Sequence, residues 1–324
     1  MKISVTDRHR SGIVQEFARA IGATVNGRFY HIPKDKGEGY ITGFAWEDDE
    51  LRMLIRNYYL TEEIELERTN EFIDGQNDVI FLLSGIIPST AEKVSHTATE
   101  APSVLICRQE VTSVLSMPPD TFFRSIAIAV SRPYLKKLFG DVTHPVILSI
   151  LQSKEQFAFE TGITPDMIKT ASEIVNPAVQ EALENHYCRL KCEELLCHVL
   201  NLLMQREAVP TGTMHINDIK AIYTIKARLQ SQLNVPPDIA SLAIDAGISA
   251  PKLRKLFRQT FGKGVFEYYQ HARMQEAAHL LKDKRLSVSE VGYSLGFTNL
   301  SHFSRVFEQH MGMKPKKYSA KNLG

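Results

Sequence analysis

Residues 239–257 read IASLAIDAGISAPKLRKLF, and residues 288–307 read VSEVGYSLGFTNLSHFSRVF. The second stretch repeats the first. Leu242, Ala243, Gly247, Leu253, Leu256, Phe257, Gly262 and Tyr268 return as Val291, Gly292, Gly296, Phe303, Val306, Phe307, Gly312 and Tyr318, offset by 49 residues up to the turn glycine and by 50 beyond it. Such a period means one supersecondary unit used twice. In the first copy Asp238, behind Pro236 and Pro237, caps a short helix that buries Ile239, Leu242 and Ala243. Ala243 and Gly292 are small because a second helix crosses close by. Gly247 and Gly296 end the first helix in a conformation that glycine adopts at least cost. Ser249 then caps a second helix whose Leu253, Leu256 and Phe257 face inward. This is helix-turn-helix geometry. It leaves Lys252, Arg254, Lys255 and Arg258 on the outer face of one copy, and Asn299, Ser301, His302 and Arg305 on that of the other.

Working outward, residues 265–282 have a helical pattern with no proline or glycine inside. About eighteen residues at ~1.5 Å rise make a strut of roughly 27 Å. With its flanking turns, this suits the ~34 Å between successive major-groove faces of B-DNA. Charge agrees with that use. From Tyr223 to Gly324 there are 16 Lys+Arg and 7 Asp+Glu, a net of +9, which leaves −8 on the rest of a chain whose total is +1. A basic module on an acidic front is the electrostatic footprint of a phosphate binder.

The front half is different. Runs at Leu51–Leu60, Glu63–Arg68, Asp78–Leu83, Ser103–Arg108 and Ser125–Val130 have strand character between turns and predict a small β-sandwich or barrel over residues 40–130. A short helix is expected over Asp7–Ile21. Ser131 with Pro133 marks the switch to helices, which run to about residue 205 with breaks at Gly140–Pro145 and Gly162–Pro165. In the longest, Val179–Glu207, the residues Cys188, Cys192, Leu195, Val199 and Leu202 recur at steps of four, three, four and three. That is a two-heptad seam, expected either to pack on its own domain or to form a homodimer with a second subunit. Ala208–Thr213 reads as a linker. The expected organisation is therefore an α+β chain: residues 1–132 a β-sandwich or barrel, 133–213 a helical dimerisation segment, and 214–324 an all-α double helix-turn-helix domain.

The C-terminal residues resemble the AraC/XylS family of bacterial transcription regulators. The likeness rests on Ile239–Phe257, on Arg273 with Ala277 and Leu281, and on Val291, Gly296, Phe297, Ser301, Phe303, Arg305, Phe307, Gly312, Pro315 and Tyr318, and it covers about a hundred residues. It implies double-stranded promoter or operator DNA as partner, with RNA polymerase as a second partner for an activator. It also implies base-facing positions at Pro251, Arg254 and Lys255 on the first reading helix and at Leu300, Ser301, His302 and Arg305 on the second. Pro251 and Leu300 carry no polar group, so readout there is apolar or through shape. Arg254 suits bidentate contact with guanine. The front of the chain is similar to the family's sensor arrangement, a cupin-like β domain followed by dimerising helices. Leu51–Leu60, Phe81–Gly85 and Arg189–Leu203 resemble its siderophore-responsive branch. The resemblance implies a small-molecule effector, an iron-siderophore complex first and a sugar or aromatic metabolite second. Arg56 and Tyr58, on one strand face, are the candidate ligand contacts.

Other classes fit less well. No run of eighteen apolar residues suggests a membrane span, and Met1–Arg10 has no secretory h-region, so a cytoplasmic, nucleoid-associated protein is expected. His31 and His96 lack the paired ligands of a metal-dependent cupin enzyme. P-loop, dinucleotide and nucleophile-elbow motifs are missing from the sequence. Cys188 and Cys192 fall on the apolar stripe. No catalytic or metal site and no cofactor are therefore expected. The alternatives are a constitutive architectural protein whose front only dimerises, and a cupin-type enzyme fused to a DNA-binding domain.

Overall fold

The computed structural model describes residues 2–7, 12–70, 78–88, 98–108, 114–152, 156–206, 214–283 and 286–321. The linker read at Ala208–Thr213 and the histidine His96 lie outside them. The chain divides into two compact units, Met1–Met214 and His215–Gly324. It is a mixed α+β protein, β-rich at the front and all-helical at the back.

The first unit begins with β1 (Lys2–Asp7), α1 (Gly12–Ile21), β2 (Thr24–Asn26), β3 (Phe29–His31), β4 (Gly37–Trp46), β5 (Leu51–Leu60) and β6 (Ile64–Asn70). It continues with β7 (Val79–Ser84), β8 (Ala98–Thr99), β9 (Ser103–Arg108), β10 (Val114–Met117), β11 (Thr121–Val130), α2 (Arg132–Phe139), α3 (Pro145–Gln152), β12 (Ala158–Thr161), α4 (Pro165–Val175) and α5 (Glu181–Met204). The large sheet runs β12-β9-β7-β11-β5-β4-β3-β2 with antiparallel neighbours, and β8 lies parallel to part of β11. A small sheet pairs β6 with β1 in parallel and with β10 in antiparallel.

Alternation along β5 sorts its side chains between two cores. Leu51, Met53 and Ile55 join Phe81, Leu83, Ile106, Ile126 and Ile128 against the helices, while Tyr58 and Leu60 point to the other face with Ile41, Phe123 and Phe17. Helix α2 starts where expected, with Ser131 Oγ accepting from the Tyr134 amide and proline in the first turn. Two expectations need correction. Residues 133–205 are not all helical, because β12 adds a strand to β9, and strands also precede residue 40 in β1, β2 and β3. The stripe of α5 is not open to a second subunit either. Cys188, Cys192, Leu195 and Val199 are fully buried within their own chain, with Leu202 packed against the same core. Each such leucine contributes ~1.5–3 kcal/mol by leaving water, so the stripe is committed to this fold. Burial raises the Cys188 thiol to about 11 and pushes Cys192 up as well.

The second unit contains α6 (Ile216–Ser231), α7 (Ile239–Asp245), α8 (Ala250–Phe261), α9 (Val265–Asp283), α10 (Val288–Ser294), α11 (Leu300–Met311) and α12 (Pro315–Lys321). Helix α9 serves both repeats. Tyr268 packs on Phe257 and Phe261 of the first, while Met274, Ala277 and Leu281 join Val291, Phe303 and Phe307 in the core of the second. No helix among the described residues is long and apolar enough to cross a membrane.

Candidate functional site

Each repeat is assembled by caps and a tight crossing. Asp238 accepts from the Ala240 and Ser241 amides to start α7, and Ser249 accepts from Lys252 to start α8. Ser287 and Glu290 close a capping box on α10, and Asn299 Oδ1 accepts from Ser301 and His302 to start α11. Gly247 and Gly296 both have positive φ, +65° and +77°. Where α10 crosses α11, a Cβ on Gly292 would stand 2.7 Å from Leu300 Cδ2 and 3.2 Å from Phe303 Cδ1, which is why no side chain is present. On α8 the residues Leu253, Leu256 and Phe257 are buried, and on α11 Phe303, Val306 and Phe307.

The opposite faces point to solvent. Pro251, Lys252, Arg254, Lys255 and Arg258 are exposed on α8, and Ser301, His302 and Arg305 on α11. Three of the expected contact residues also have internal duties. Leu300 is only half-exposed and covers Gly292, so it props the crossing. The Asn299 oxygen is used by its cap, which leaves its amide NH₂ as the outward group. Lys252 Nζ lies 2.7 Å from Asp218 of α6, a carboxylate only 10% exposed, so part of its charge is neutralised inside the unit. The sequence reading missed this pairing, because Asp218 lies 34 positions upstream in a segment without a motif.

Arg273 is the second residue whose role was not read from the sequence. It stands on α9, 6% exposed, with its guanidinium 3.8 Å from the Phe297 ring centroid and 5.0 Å from that of Tyr269. One Nη donates to the Leu295 carbonyl at the turn between α10 and α11, and the other donates to Gln270 Oε1 at 2.8 Å. Its sequence signal was the family likeness, in which Arg273 appears with Ala277 and Leu281 but without a role.

In the first unit, Arg56 is buried. Its Nε donates to Ser125 Oγ at 2.7 Å, and one Nη reaches Glu100 Oε1 at 3.1 Å. Burial alone would lower its pKa, but Glu100 and Tyr58 together outweigh that and raise it. Tyr58 donates to Met117 Sδ at 3.2 Å, and burial raises its pKa. Each candidate ligand residue is thus already hydrogen-bonded within its own unit. The adjacent register is more open. Gly43 pairs with Leu54, Leu54 with Ala127, Ala127 with Leu82, and Leu82 with Leu105. Directly paired residues share a face, and all five are half-exposed. They form an apolar floor across five strands, with Arg56, Ser125 and Glu100 along one side. Among the described residues, no group of three His, Cys, Asp or Glu is placed to hold a metal ion.

Comparison with known proteins agrees with this layout. A family model described as a helix-turn-helix domain matches residues 242–321, and one described as the regulatory protein PchR N-terminal domain matches residues 53–214, half of the chain. The chain belongs to the AraC/XylS family of transcriptional regulators. Among this family member's relatives, the HTH-type transcriptional regulator GlxA of Rhizobium meliloti is 31% identical over 104 residues, 32% of this chain and 31% of that one. The arabinose operon regulatory protein of Escherichia coli K12 is 36% identical over 83 residues, 26% of this chain and 28% of that one. The chain thus spans about a third of the length of these relatives. A solved structure of a probable AraC family transcriptional regulator from Rhodopseudomonas palustris CGA009 is 27% identical, covering 32% of this chain and 97% of that one at a TM-score of 0.30.

The Arg273 clamp is testable by stability. Arg273→Leu leaves the Leu295 carbonyl unpartnered, a loss of about 1–3 kcal/mol. Urea denaturation followed by circular dichroism is expected to show this loss. A variant as stable as the parent would remove the clamp.

Proposed function

We propose that the chain is a sequence-specific transcription regulator that binds duplex promoter or operator DNA through its C-terminal unit and senses a small molecule with its N-terminal unit. The observation that carries the first half is the repeated geometry: two helices, α8 and α11, each bury one apolar side and leave a polar or basic side exposed. Lys255 and Arg258 suit phosphates, Arg254 suits the paired acceptors of guanine, and Ser301, His302 and Arg305 make the second reading surface with Asn299. Lys252 contributes less than its position suggests, because Asp218 holds it. For an activator, RNA polymerase is the further partner. The protein acts by binding rather than catalysis, in the cytoplasm and on the nucleoid.

Full-length protein is expected to bind its site with an affinity that falls steeply as salt rises from tens to hundreds of millimolar, through release of condensed counterions. Arg254→Ala is expected to cost about 1–3 kcal/mol at that site and to relax specificity at one base. Electrophoretic shift and fluorescence anisotropy measure both. A flat salt response, or an equal loss on every sequence, contradicts the assignment.

The apolar floor of Gly43, Leu54, Ala127, Leu82 and Leu105 supports an effector site in the first unit, with an iron-siderophore complex as first candidate and a sugar or aromatic metabolite as second. Arg56 and Tyr58 act at its edge, Arg56 exchanging Glu100 for an anionic ligand group. Calorimetry with each candidate is expected to give binding that Ala127→Trp abolishes while DNA affinity without effector is kept. Binding that survives this filling of the floor places the effector elsewhere.

A homodimer forms through the outer side of α5. Leu183 (58% exposed), Leu190 (52%), Cys197 and Met204 (40%) recur every seven residues on a face not used by the unit's core. A helix brings every seventh residue to nearly the same side, so these four line one strip, which a second copy of the same helix covers. Leu190→Glu is expected to yield a folded monomer in sedimentation. Leu195→Ala, in the buried stripe, is expected to keep the dimer but to lose about 2–5 kcal/mol of stability. A dimeric Leu190→Glu variant refutes the strip's role.

A further inference from the structure

We propose that the two helix-turn-helix units are locked to each other by direct backbone contact between the Leu233–Asn234 loop and the Leu295–Gly296 turn, and that this lock fixes the half-site spacing the protein accepts. The proposal rests on the reading of the C-terminal unit as a DNA-binding block. A strut joined to its heads only by turns would leave a swivel at each end, and the half-sites could then vary in phase. Three observations converge on the point where that swivel is removed.

The first is the packing at Gly296. A Cβ built there would stand 2.1 Å from the Asn234 carbonyl oxygen and 2.9 Å from its carbon, so the turn of the second repeat lies directly on the loop that precedes the first. Gly247 holds the same place in the first repeat with the same sign of φ, yet nothing lies within 4 Å of its Cβ position. At Gly247, glycine is required by the backbone alone. At Gly296 it is required by the neighbour as well. The second observation is that Tyr269, fully buried on α9, donates its hydroxyl to the Leu233 carbonyl at 3.0 Å, while Leu233 packs against the core of the second repeat. The third is Arg273, one turn further along the same helix, which donates to the Leu295 carbonyl. Tyr269 thus holds the loop of one repeat and Arg273 the turn of the other, and the two segments meet at Asn234 and Gly296. Moving one head against the other breaks this set together.

Inserting one base pair between the half-sites turns one of them by about 35° relative to the other, since a helical turn takes ~10–10.5 base pairs. A locked pair cannot follow that change. The test uses full-length protein and a duplex enriched with it from a random-sequence library, then the same duplex with one base pair inserted between the two protected blocks. Wild type is expected to lose affinity about tenfold or more on insertion, comparable with a mismatched base pair. Gly247→Ala, which carries the same backbone strain without the contact, is expected to lose as much. Gly296→Ala is expected to discriminate far less between the two duplexes, whatever its absolute affinity. Tyr269→Phe, which removes one hydroxyl, is expected to lie between, and it decides the matter if Gly296→Ala does not fold. Wild-type discrimination retained by both variants overturns the lock, as does a wild type indifferent to the insertion. Failure to enrich any sequence removes the DNA-binding reading and the lock with it.

Discussion

The outward chemistry of the C-terminal unit depends on how closely two short helices can cross. At Gly292 there is no room for a methyl group, because Leu300 and Phe303 already occupy that space. At the matching Ala243 the buried side chain is a single carbon. That approach lets a seven-residue helix bury enough of a twelve-residue one to fix it, since four apolar side chains of α8 and three of α11 go into the core. The exposed arc of α8 and α11 then has a defined direction. Larger residues at the crossing would separate the helices and rotate the arginines away from a common surface.

A comparable economy governs the first unit, where one sheet serves two environments. Strand β5 pairs along its whole length with β4 and β11, so a slip of one residue would exchange every side chain between the faces. One face is sealed by helices. The other changes within a few residues from the packed aromatics Tyr58 and Phe123 to the half-exposed floor around Leu54. The buried pair of Arg56 and Glu100 stands at that boundary. A charge of this kind is costly to bury alone and is held by its partner.

Much of this was legible in the sequence, and the misses share a cause. Both repeats, the caps Asp238 and Ser249 of the first and the glycine turns are local patterns, as are Leu51–Leu60 and Ser103–Arg108, whose bounds coincide with β5 and β9. Strand β12 was hidden because its partner β9 lies some fifty residues upstream, so pairing leaves no local mark on four residues. The short β2 and β3 are exposed or half-exposed throughout and lack alternation. On helix α5, periodicity reports the stripe from Cys188 to Leu202 without saying whether it faces its own core or a second subunit, and the exposed row of Leu183, Leu190, Cys197 and Met204 emerges only from burial. Leu300, Asn299 and Lys252 occupied positions that the family likeness or the exposed helix face assigned to DNA. Only the nearness of Gly292, the capping geometry and Asp218 shows their inward duties.

The central claim is that one chain presents two reading heads on one side of the double helix. Hydroxyl-radical footprinting of the full-length protein on a duplex enriched by it tests this most directly, at one-nucleotide resolution. The account predicts, for each C-terminal unit, two protected blocks on the same face, centred about 10 base pairs apart. A single block per unit, or two blocks on opposite faces of the helix, would contradict it.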